Sequence, residues 1–263
     1  MKHHHTDQIS IDAYAYESKL QSVNPTFKLL FSLAVIFVCI GLNQVSVSVC
    51  VLLGMTVLVV IKGGMNLWDY LSVFKIPLVF ILLGTIAIGF DVSFKPPGGL
   101  SVHIIFFYIY TSMEQIAEMG QLMLKVFASV SALQFLILTT PAAQVIAALS
   151  NLHLPKLITE LMHMIYRYIF ILLNVYDRMK NSALSRGGYN TFSRAVYTFG
   201  SIGSNLFIVA MKKAGDYYDA MEARCYDGEL NIFQEKKKVS WQQITAAVVF
   251  IGFLCLLKVL ARR

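Results

Sequence analysis

The chain has 263 residues, of which 57% are hydrophobic and 14% are charged, and its formal net charge is +7. Soluble domains are about 45–50% apolar and about 25% charged, so this composition argues against an ordinary soluble protein and predicts an integral membrane protein. A positive charge can indicate a nucleic-acid partner, but Lys and Arg mark the cytoplasmic loops of membrane proteins, and we expect no nucleic-acid partner.

Residues 1–138 are predicted to form an interfacial N-terminal segment followed by four membrane spans. Pro25 opens the first span, and Lys28 is expected to extend its ammonium group from the start of that span to the interface. The stretch from Leu29 to Ile61 contains no charged residue. A span needs ~20 residues, so this stretch is long enough for two spans, with a turn at Asn43.

A third span is predicted from Lys75 to Phe90, after the aromatic residues Trp68 and Tyr70, which are typical of the membrane interface. The loop Asp91–Gly99 is rich in proline and glycine and cannot be helical. The β-branched and aromatic run Ser101–Tyr110 is too short to span a bilayer. It is predicted to form a hairpin or a re-entrant segment.

The fourth span, from about Glu114 to Leu138, contains three charged residues. Charges inside a membrane are costly and raise a functional hypothesis. We interpret Glu114 and Glu118 as residues of the outer interface. Lys125 is then the one charge of this span that is expected near the bilayer midplane.

Residues 139–239 are predicted to form a cytoplasmic module of long helices. They hold 12 of the 22 Lys and Arg residues, and loops with such an excess of positive charge lie on the cytoplasmic side. The predicted helices are 141–152, 156–185, 192–213 and 214–225.

Residues 240–263 are predicted to contain the last span, Trp241–Leu260. The sequence therefore predicts an all-α integral membrane protein with five spans, or six as the alternative. Four spans before a cytoplasmic module place the N-terminus inside, and one span after it places the C-terminus outside. Lys258, Arg262 and Arg263 favour the opposite location for the C-terminus.

Two short segments of the cytoplasmic module resemble each other, namely Ala183–Tyr189 and Met221–Gly228. Their arginines, Arg186 and Arg224, are 38 positions apart, and each is followed by a small residue and then, two or three positions after the arginine, by tyrosine. An arginine in the last helical turn can simply bond the free carbonyl groups. Two such sites in one module instead favour contact with a partner that offers two equivalent grooves.

Motifs for catalysis or for metal and cofactor binding are not evident. The sequence contains neither a phosphate-binding G-x-x-x-x-G-K-[ST] loop nor an H-E-x-x-H zinc motif, and it lacks a G-x-S-x-G elbow. The four cysteines indicate neither a disulfide framework nor a zinc site. We therefore expect a protein that is not an enzyme and that binds no cofactor or metal of its own.

The chain resembles the transmembrane T component of energy-coupling factor transporters. That family carries two Ala-Arg-Gly signatures at the ends of its cytoplasmic coupling helices, which stand here as Ser185-Arg186-Gly187 and Ala223-Arg224-Cys225. Each departs from the signature at one position. The segment Ile11–Tyr16 and the surroundings of the second signature resemble in particular the cobalt-type branch, CbiQ.

The resemblance implies a coupling subunit in the cytoplasmic membrane of a prokaryotic cell. Its partners would be a dimer of CbiO-type ATPases, which use the ATP, and a CbiM-type membrane subunit that binds the ion, with a CbiN-type small subunit. The transported ion would be cobalt, and the two arginines would anchor the two ATPases. A nickel or vitamin importer of the same kind is the alternative. From other classes, a secondary transporter without an ATPase and a membrane enzyme remain as competing hypotheses.

Overall fold

The computed structural model describes residues 6–89, 91–93, 100–104, 107–111, 113–152, 154–228, 237 and 239–260. Within these residues the chain is almost entirely helical. Its helices are α1 (Thr6–Glu17), α2 (Pro25–Leu42), α3 (Val45–Val57), α4 (Leu67–Gly89), α5 (Met113–Thr139), α6 (Ala142–Asn151), α7 (Lys156–Ser185), α8 (Phe192–Glu222) and α9 (Trp241–Leu260). A 3₁₀ turn (Lys19–Ser22) precedes α2, and a π turn (Leu58–Lys62) extends α3.

The predicted all-α membrane protein is confirmed. Five helices, namely α2, α3 with its π turn, α5, α7 and α9, are long and apolar enough to cross a membrane, and the bent α4 would make a sixth. The set differs from the predicted one, because α7 meets this criterion although the sequence analysis places it in the cytoplasmic module.

The chain divides into two compact units. The first contains Met1–Ala148 and Lys236–Arg263, and the second contains Leu149–Glu235. The last helix therefore belongs to the same unit as the first four predicted spans. In the first unit α5 packs against α1, α2, α3 and α4.

Small residues on α5 form the centre of the first unit. Ala128, Ser131 and Ala132 are fully buried, and they lie on one face of the helix because they are three or four positions apart. Small side chains allow helices in membranes to approach closely. Because α2 approaches α5 closely, the Ser32 hydroxyl of α2 can donate to the Ala132 carbonyl at 2.5 Å.

Lys28 joins three segments at one end of this unit. Its side chain is 1% exposed, and its Nζ donates to the Leu20 carbonyl at 3.1 Å and to the Thr139 carbonyl at 2.6 Å. The prediction that Lys28 reaches the interface is wrong, because these carbonyls replace water inside the protein. At the same junction the Asp12 carboxylate accepts from the Ala142 N–H, at the start of α6, at 3.1 Å.

The opposite end of the first unit is the turn between α2 and α3. Asn43 adopts a left-handed conformation with φ 47° and ends α2, as predicted. The Lys125 Nζ donates to the Asn43 side-chain oxygen at 3.0 Å, and the Gln121 side chain donates to the Asn43 carbonyl at 2.8 Å. Lys125 therefore lies level with the end of two spans, and its predicted midplane position is wrong. Glu118 is exposed nearer to the start of α5, and the side chain of Glu114 lies outside the described residues.

α4 begins eight residues before the predicted third span. It bends by 49° between Lys75 and Pro77, because proline lacks the N–H that a helix interior needs. Trp68 is 82% exposed, whereas Tyr70 is buried in the core and its hydroxyl accepts a hydrogen bond from Thr56. The predicted interfacial position is therefore wrong for Tyr70.

The hairpin predicted after the third span is confirmed as a β-structure. Strands β2 (Leu100–Ile104) and β3 (Phe107–Thr111) pair antiparallel, and β1 (Asp91–Ser93) pairs with the other edge of β3. Residues 94–99, most of the predicted loop, lie outside the described part of the chain.

α9 runs in the same direction as α2. The Asn24 side chain, at the start of α2, donates to the Lys237 carbonyl just before α9. Further along both helices, the Phe31 and Phe250 rings are 6.1 Å apart. Leu260 is therefore at the Asn43 end of the unit, as expected for a chain with its two termini on opposite sides.

The second unit is built on an antiparallel pair of helices, α7 and α8. The Thr198 hydroxyl donates to the Gly188 carbonyl at 2.8 Å near the connection. Farther along the pair, the Tyr168 and Tyr217 rings are 5.1 Å apart. The predicted break between residues 213 and 214 is wrong, because α8 is continuous from Phe192 to Glu222 and a single glycine in a helix interior costs only ~1 kcal/mol.

We predict that Lys28→Met destabilises the protein. The substitution leaves the Leu20 and Thr139 carbonyls without their charged donor, and hydrogen bonds to charged groups contribute about 1.5–3 kcal/mol. Thermal unfolding of the purified Lys28→Met variant in detergent should show a lower midpoint than that of Lys19→Met, which changes an exposed lysine of the 3₁₀ turn that Lys28 contacts. An unchanged midpoint for Lys28→Met would mean that the cost of burying the ammonium group cancels its hydrogen bonds.

The direction of α9 predicts the side on which the chain ends. An alkaline phosphatase fused after Leu260 should be active in a Gram-negative host, because that residue lies at the Asn43 end, which we expect outside the cytoplasm. The same reporter fused after Gly64, at the Lys28 end, should be inactive. The opposite pattern of reporter activity would mean that the first unit has the inverted topology in the membrane.

Candidate functional site

The first of the two matching segments is the end of α7. Ser185 is the last helical residue, and its hydroxyl donates to the Asn181 carbonyl at 3.0 Å. Arg186 follows as the capping residue, and Gly187 has a left-handed backbone with φ +68°. The Gly188 N–H donates to the Ala183 carbonyl at 2.9 Å, and the Gly187 N–H donates to the Leu184 carbonyl at 3.1 Å.

The second segment, at the end of α8, repeats this arrangement 38 residues later. The Tyr226 N–H donates to the Met221 carbonyl at 3.1 Å, and the Cys225 N–H donates to the Glu222 carbonyl at 2.9 Å. Cys225 has φ +60° and therefore occupies the place of Gly187. Ala223 and Arg224 correspond in the same way to Ser185 and Arg186.

Both helix ends are therefore the same structure, a Schellman motif. In this motif a residue with positive φ reverses the chain, and two backbone N–H groups satisfy carbonyls of the last turn. The two segments therefore share backbone hydrogen bonds at corresponding positions, in addition to a few similar residues. The sequence analysis predicted two corresponding helix ends but not their identical backbone geometry.

Backbone groups, rather than the arginines, cap the two helices. Arg186 and Arg224 are exposed. Within the part of the chain that the structure describes, neither guanidinium group forms a hydrogen bond or an ion pair. The capping role that sequence analysis offered as the simpler explanation is therefore filled by N–H groups. Each arginine retains the five donors of its planar fork for a partner.

A groove lies beside Arg186, between α7 and the first half of α8. Its volume is about 610 Å³, and Met179, Ala183 and Ile202 form part of its apolar lining. Arg178 and Arg186 both line it, and the described residues of its lining include no aspartate or glutamate. These arginines are eight positions apart and therefore share a face of α7. The groove can hold an apolar group together with an anion.

Arg178 belongs to this groove, although the sequence analysis did not select it as a site residue. Its Nε donates to the Asn174 carbonyl at 3.2 Å, one turn earlier in α7. The spacing from Arg186 was the available signal. Tyr197 and Thr198 from α8 complete the same lining, and their proximity depends on a helix pairing that spacing does not reveal.

The two arginine motifs are not brought together into one site. They lie at the two ends of α8, whose 31 residues correspond to about 46 Å at 1.5 Å per residue. Among the described residues there is also no group of three or more His, Cys, Asp or Glu side chains that could hold a metal ion. The geometry is that of two separate contact points.

Comparison with known proteins adds a family match over most of the chain. The model of the family described as "Cobalt transport protein", CbiQ, matches residues 16–239. A Salmonella typhimurium protein named cobalt transport protein CbiQ is 23% identical over 84% of this chain and 99% of its own length.

Two archaeal relatives are also similar. An uncharacterized protein of Methanocaldococcus jannaschii is 28% identical over the whole of this chain and 95% of its own length. A Methanocorpusculum labreanum protein, described as a fused cobalt transport protein CbiMQ, is 31% identical over 95% of this chain. This chain covers 42% of that longer protein.

The shared backbone geometry predicts opposite effects of two substitutions. Gly187→Ala should weaken the first helix end by about 1–2 kcal/mol, the cost of a left-handed conformation for a residue with a Cβ atom, and this Cβ would be 2.8 Å from the Asn190 side-chain nitrogen. Cys225→Gly should preserve or strengthen the second end. Amide hydrogen exchange should accelerate at Gly188 in the first variant and should stay equal or slow at Tyr226 in the second.

Faster exchange at Tyr226 in Cys225→Gly would contradict the assignment of Cys225 to the reversing position. Gly228→Ala is a suitable comparison near the second helix end, because Gly228 also has a positive φ, +96°, but lies beyond the two capping hydrogen bonds.

Proposed function

Because the chain belongs to the CbiQ family of cobalt transport proteins, we propose that it is the energy-coupling membrane subunit of an ATP-driven cobalt importer. Its family identifies it as a component of cobalt transport, and its long apolar helices identify it as a membrane protein. The observation that carries the finer proposal is the repetition of one helix-end geometry with a free, exposed arginine at each end of α8.

Two equal contact points fit a partner made of two equal subunits. Symmetric dimers present the same surface twice, and the motifs are separated by the length of α8, about 46 Å for 31 residues. We therefore assign Arg186 to one subunit of a CbiO-type ATPase dimer and Arg224 to the other. This chain would hydrolyse no ATP itself and would be a non-catalytic permease subunit.

The chemistry of each contact follows from the side chains at the helix ends. Arginine offers a planar fork that matches a carboxylate with two parallel hydrogen bonds. At the first site, the groove beside Arg186 adds an apolar surface between α7 and α8. A helix end would therefore dock into a groove of the ATPase, with an acidic group of the ATPase bound to the arginine.

Movement of the ATPases would reach the membrane along the paired helices α7 and α8 and then through the chain that precedes α7. The Thr198–Gly188 hydrogen bond and the contact of Tyr217 with Tyr168 fix α8 along α7. The chain from α7 leads through α6 to Thr139, whose carbonyl is bound by Lys28. Closure of the ATPase dimer on ATP would therefore act on the end of α5, around which the first unit is packed.

The ion itself would be bound by another subunit. The relative described as a fused CbiMQ protein supports a CbiM-type membrane protein as the partner that takes up cobalt, and we include a CbiN-type small subunit. We place the complex in the cytoplasmic membrane of a prokaryotic cell, with the arginine motifs on the cytoplasmic side. A secondary transporter is disfavoured, because Lys125 lies at the end of the spans.

The proposal predicts which arginines the ATPase requires. This chain, tagged and expressed with a CbiO-type ATPase and a CbiM-type subunit, should retain the ATPase during purification. Arg186→Glu/Arg224→Glu should lose it, because a carboxylate replaces each guanidinium opposite an acidic group. Truncation of one partner in a buried charge pair typically costs ~2–5 kcal/mol, so the double alanine variant should also abolish cobalt uptake.

Lys212→Glu is the matched control, because Lys212 is an exposed cation in the interior of α8, away from both helix ends. The control should keep the ATPase and the CbiM-type subunit. Full uptake by the double alanine variant, or equal loss of the ATPase from Lys212→Glu, would refute a specific role of the two motifs.

A further inference from the structure

An apolar groove opens at the Lys28 end of the first unit, between α2, α3 and α9. Its volume is about 300 Å³, and its lining includes Phe27, Phe31, Val57, Ala247 and Phe250. Gly54 allows α9 to pack closely on α3 beside this groove, because a Cβ atom there would be 2.9 Å from the Phe250 ring. The groove runs along helices that are long and apolar enough to lie in a membrane.

Three lysines gather at the same end of the groove. Lys28 and Lys62 line it. Lys237 donates to the Gln21 carbonyl at 2.6 Å, while Lys28 donates to the carbonyl of the preceding residue, Leu20. Two of the three ammonium groups are therefore held by consecutive peptide units of one 3₁₀ turn.

The cations of this cluster have no counter-charge among the described residues. Within that part of the chain the groove lining contains no aspartate or glutamate, and none of these three lysines forms an ion pair. When like charges are held close together, each one destabilises the charged form of the other. Buried Lys28 is bound by two carbonyls, whereas Lys62 is exposed and Lys237 is half-buried, so the ammonium donors of these two lysines can reach an anion.

We propose that the groove binds one acyl chain of an anionic phospholipid, with the headgroup phosphate at Lys62 and Lys237. This ligand joins a negative charge to a hydrocarbon chain, as the site joins a lysine cluster to an apolar groove. Basic pockets between membrane helices are known to bind anionic headgroups. The bound lipid would join the 3₁₀ turn, the end of α3 and the segment before α9.

The inference depends on the membrane location of the first unit and not on coupling to an ATPase. It is tested by native mass spectrometry of the full chain in detergent, titrated with phosphatidylglycerol or phosphatidylcholine of identical acyl chains. Wild type should bind the first phosphatidylglycerol more tightly than the first phosphatidylcholine. Lys62→Gln should weaken phosphatidylglycerol binding about fivefold, the factor expected for one lysine near an anionic lipid.

A second variant tests the groove without changing the charge. Ala247→Trp should fill the groove and weaken the first binding event for both lipids. The matched controls are Lys19→Gln, an exposed lysine of the same 3₁₀ turn, and Val248→Trp, the exposed neighbour of Ala247. Neither control residue lines the groove, and both controls should bind as wild type does.

Equal affinity of wild type for the two lipids would overturn the proposal. The same conclusion follows if phosphatidylglycerol binding is unchanged in both groove variants, or if Val248→Trp and Ala247→Trp weaken it equally. Should Ala247→Trp fail to fold, Ala246→Phe fills the same lining. Loss of a partner membrane subunit from the groove variants, with lipid binding unchanged, would assign the groove to a protein contact instead.

Discussion

The hydrogen bonds of the Lys28 ammonium group are the interaction on which the first unit depends. Water cannot satisfy polar backbone groups inside a membrane protein, so each carbonyl at a helix end needs a donor from the protein. Thr139 is the last residue of α5, and its carbonyl receives that donor from α2. The same lysine binds the Leu20 carbonyl, so one side chain joins the 3₁₀ turn to the end of α5 and fixes the register of α2 against α5.

The second unit meets the same requirement by a different route. At the ends of α7 and α8 the carbonyls accept from backbone N–H groups of the reversing chain. This solution uses no side chain, and the adjacent arginines therefore remain available. In the first unit a charged side chain is used for structure, whereas in the second the backbone provides the structure and the charged side chains stay exposed.

The elements that could be predicted from sequence are those encoded locally. Apolar runs identified α2, α3, α5 and α9, and Asn43 and Gly187 marked chain reversals through their tolerance of positive φ. The pair of corresponding helix ends was also visible, because it lies in two short segments. Their equivalence in hydrogen bonding was not visible, since a cysteine replaces the expected glycine and cysteine does not signal a left-handed backbone.

The errors concern residues whose environment is made by distant segments. A lysine near the start of a span normally extends to the interface, and only the positions of Leu20 and Thr139 show that Lys28 does not. Tyr70 and Lys125 were misplaced for the same reason, because their partners Thr56 and Asn43 belong to other helices. The continuity of α8 was missed because its pairing with α7, which stabilises one long helix despite an interior glycine, is made by a distant segment.

The unbroken course of α8 has a mechanical consequence for the proposed importer. A stiff rod held at its two ends has only a few ways to respond. Equal displacements of the ends translate it, whereas unequal displacements turn it about its middle. An ATPase dimer in which both ATP sites act together would therefore translate α8, whereas a dimer in which the sites act in turn would rotate it about its middle. A break near residue 214 would have allowed the two ends to move independently. Because α8 has no such break, the relative timing of the two ATP sites would determine how the helix moves.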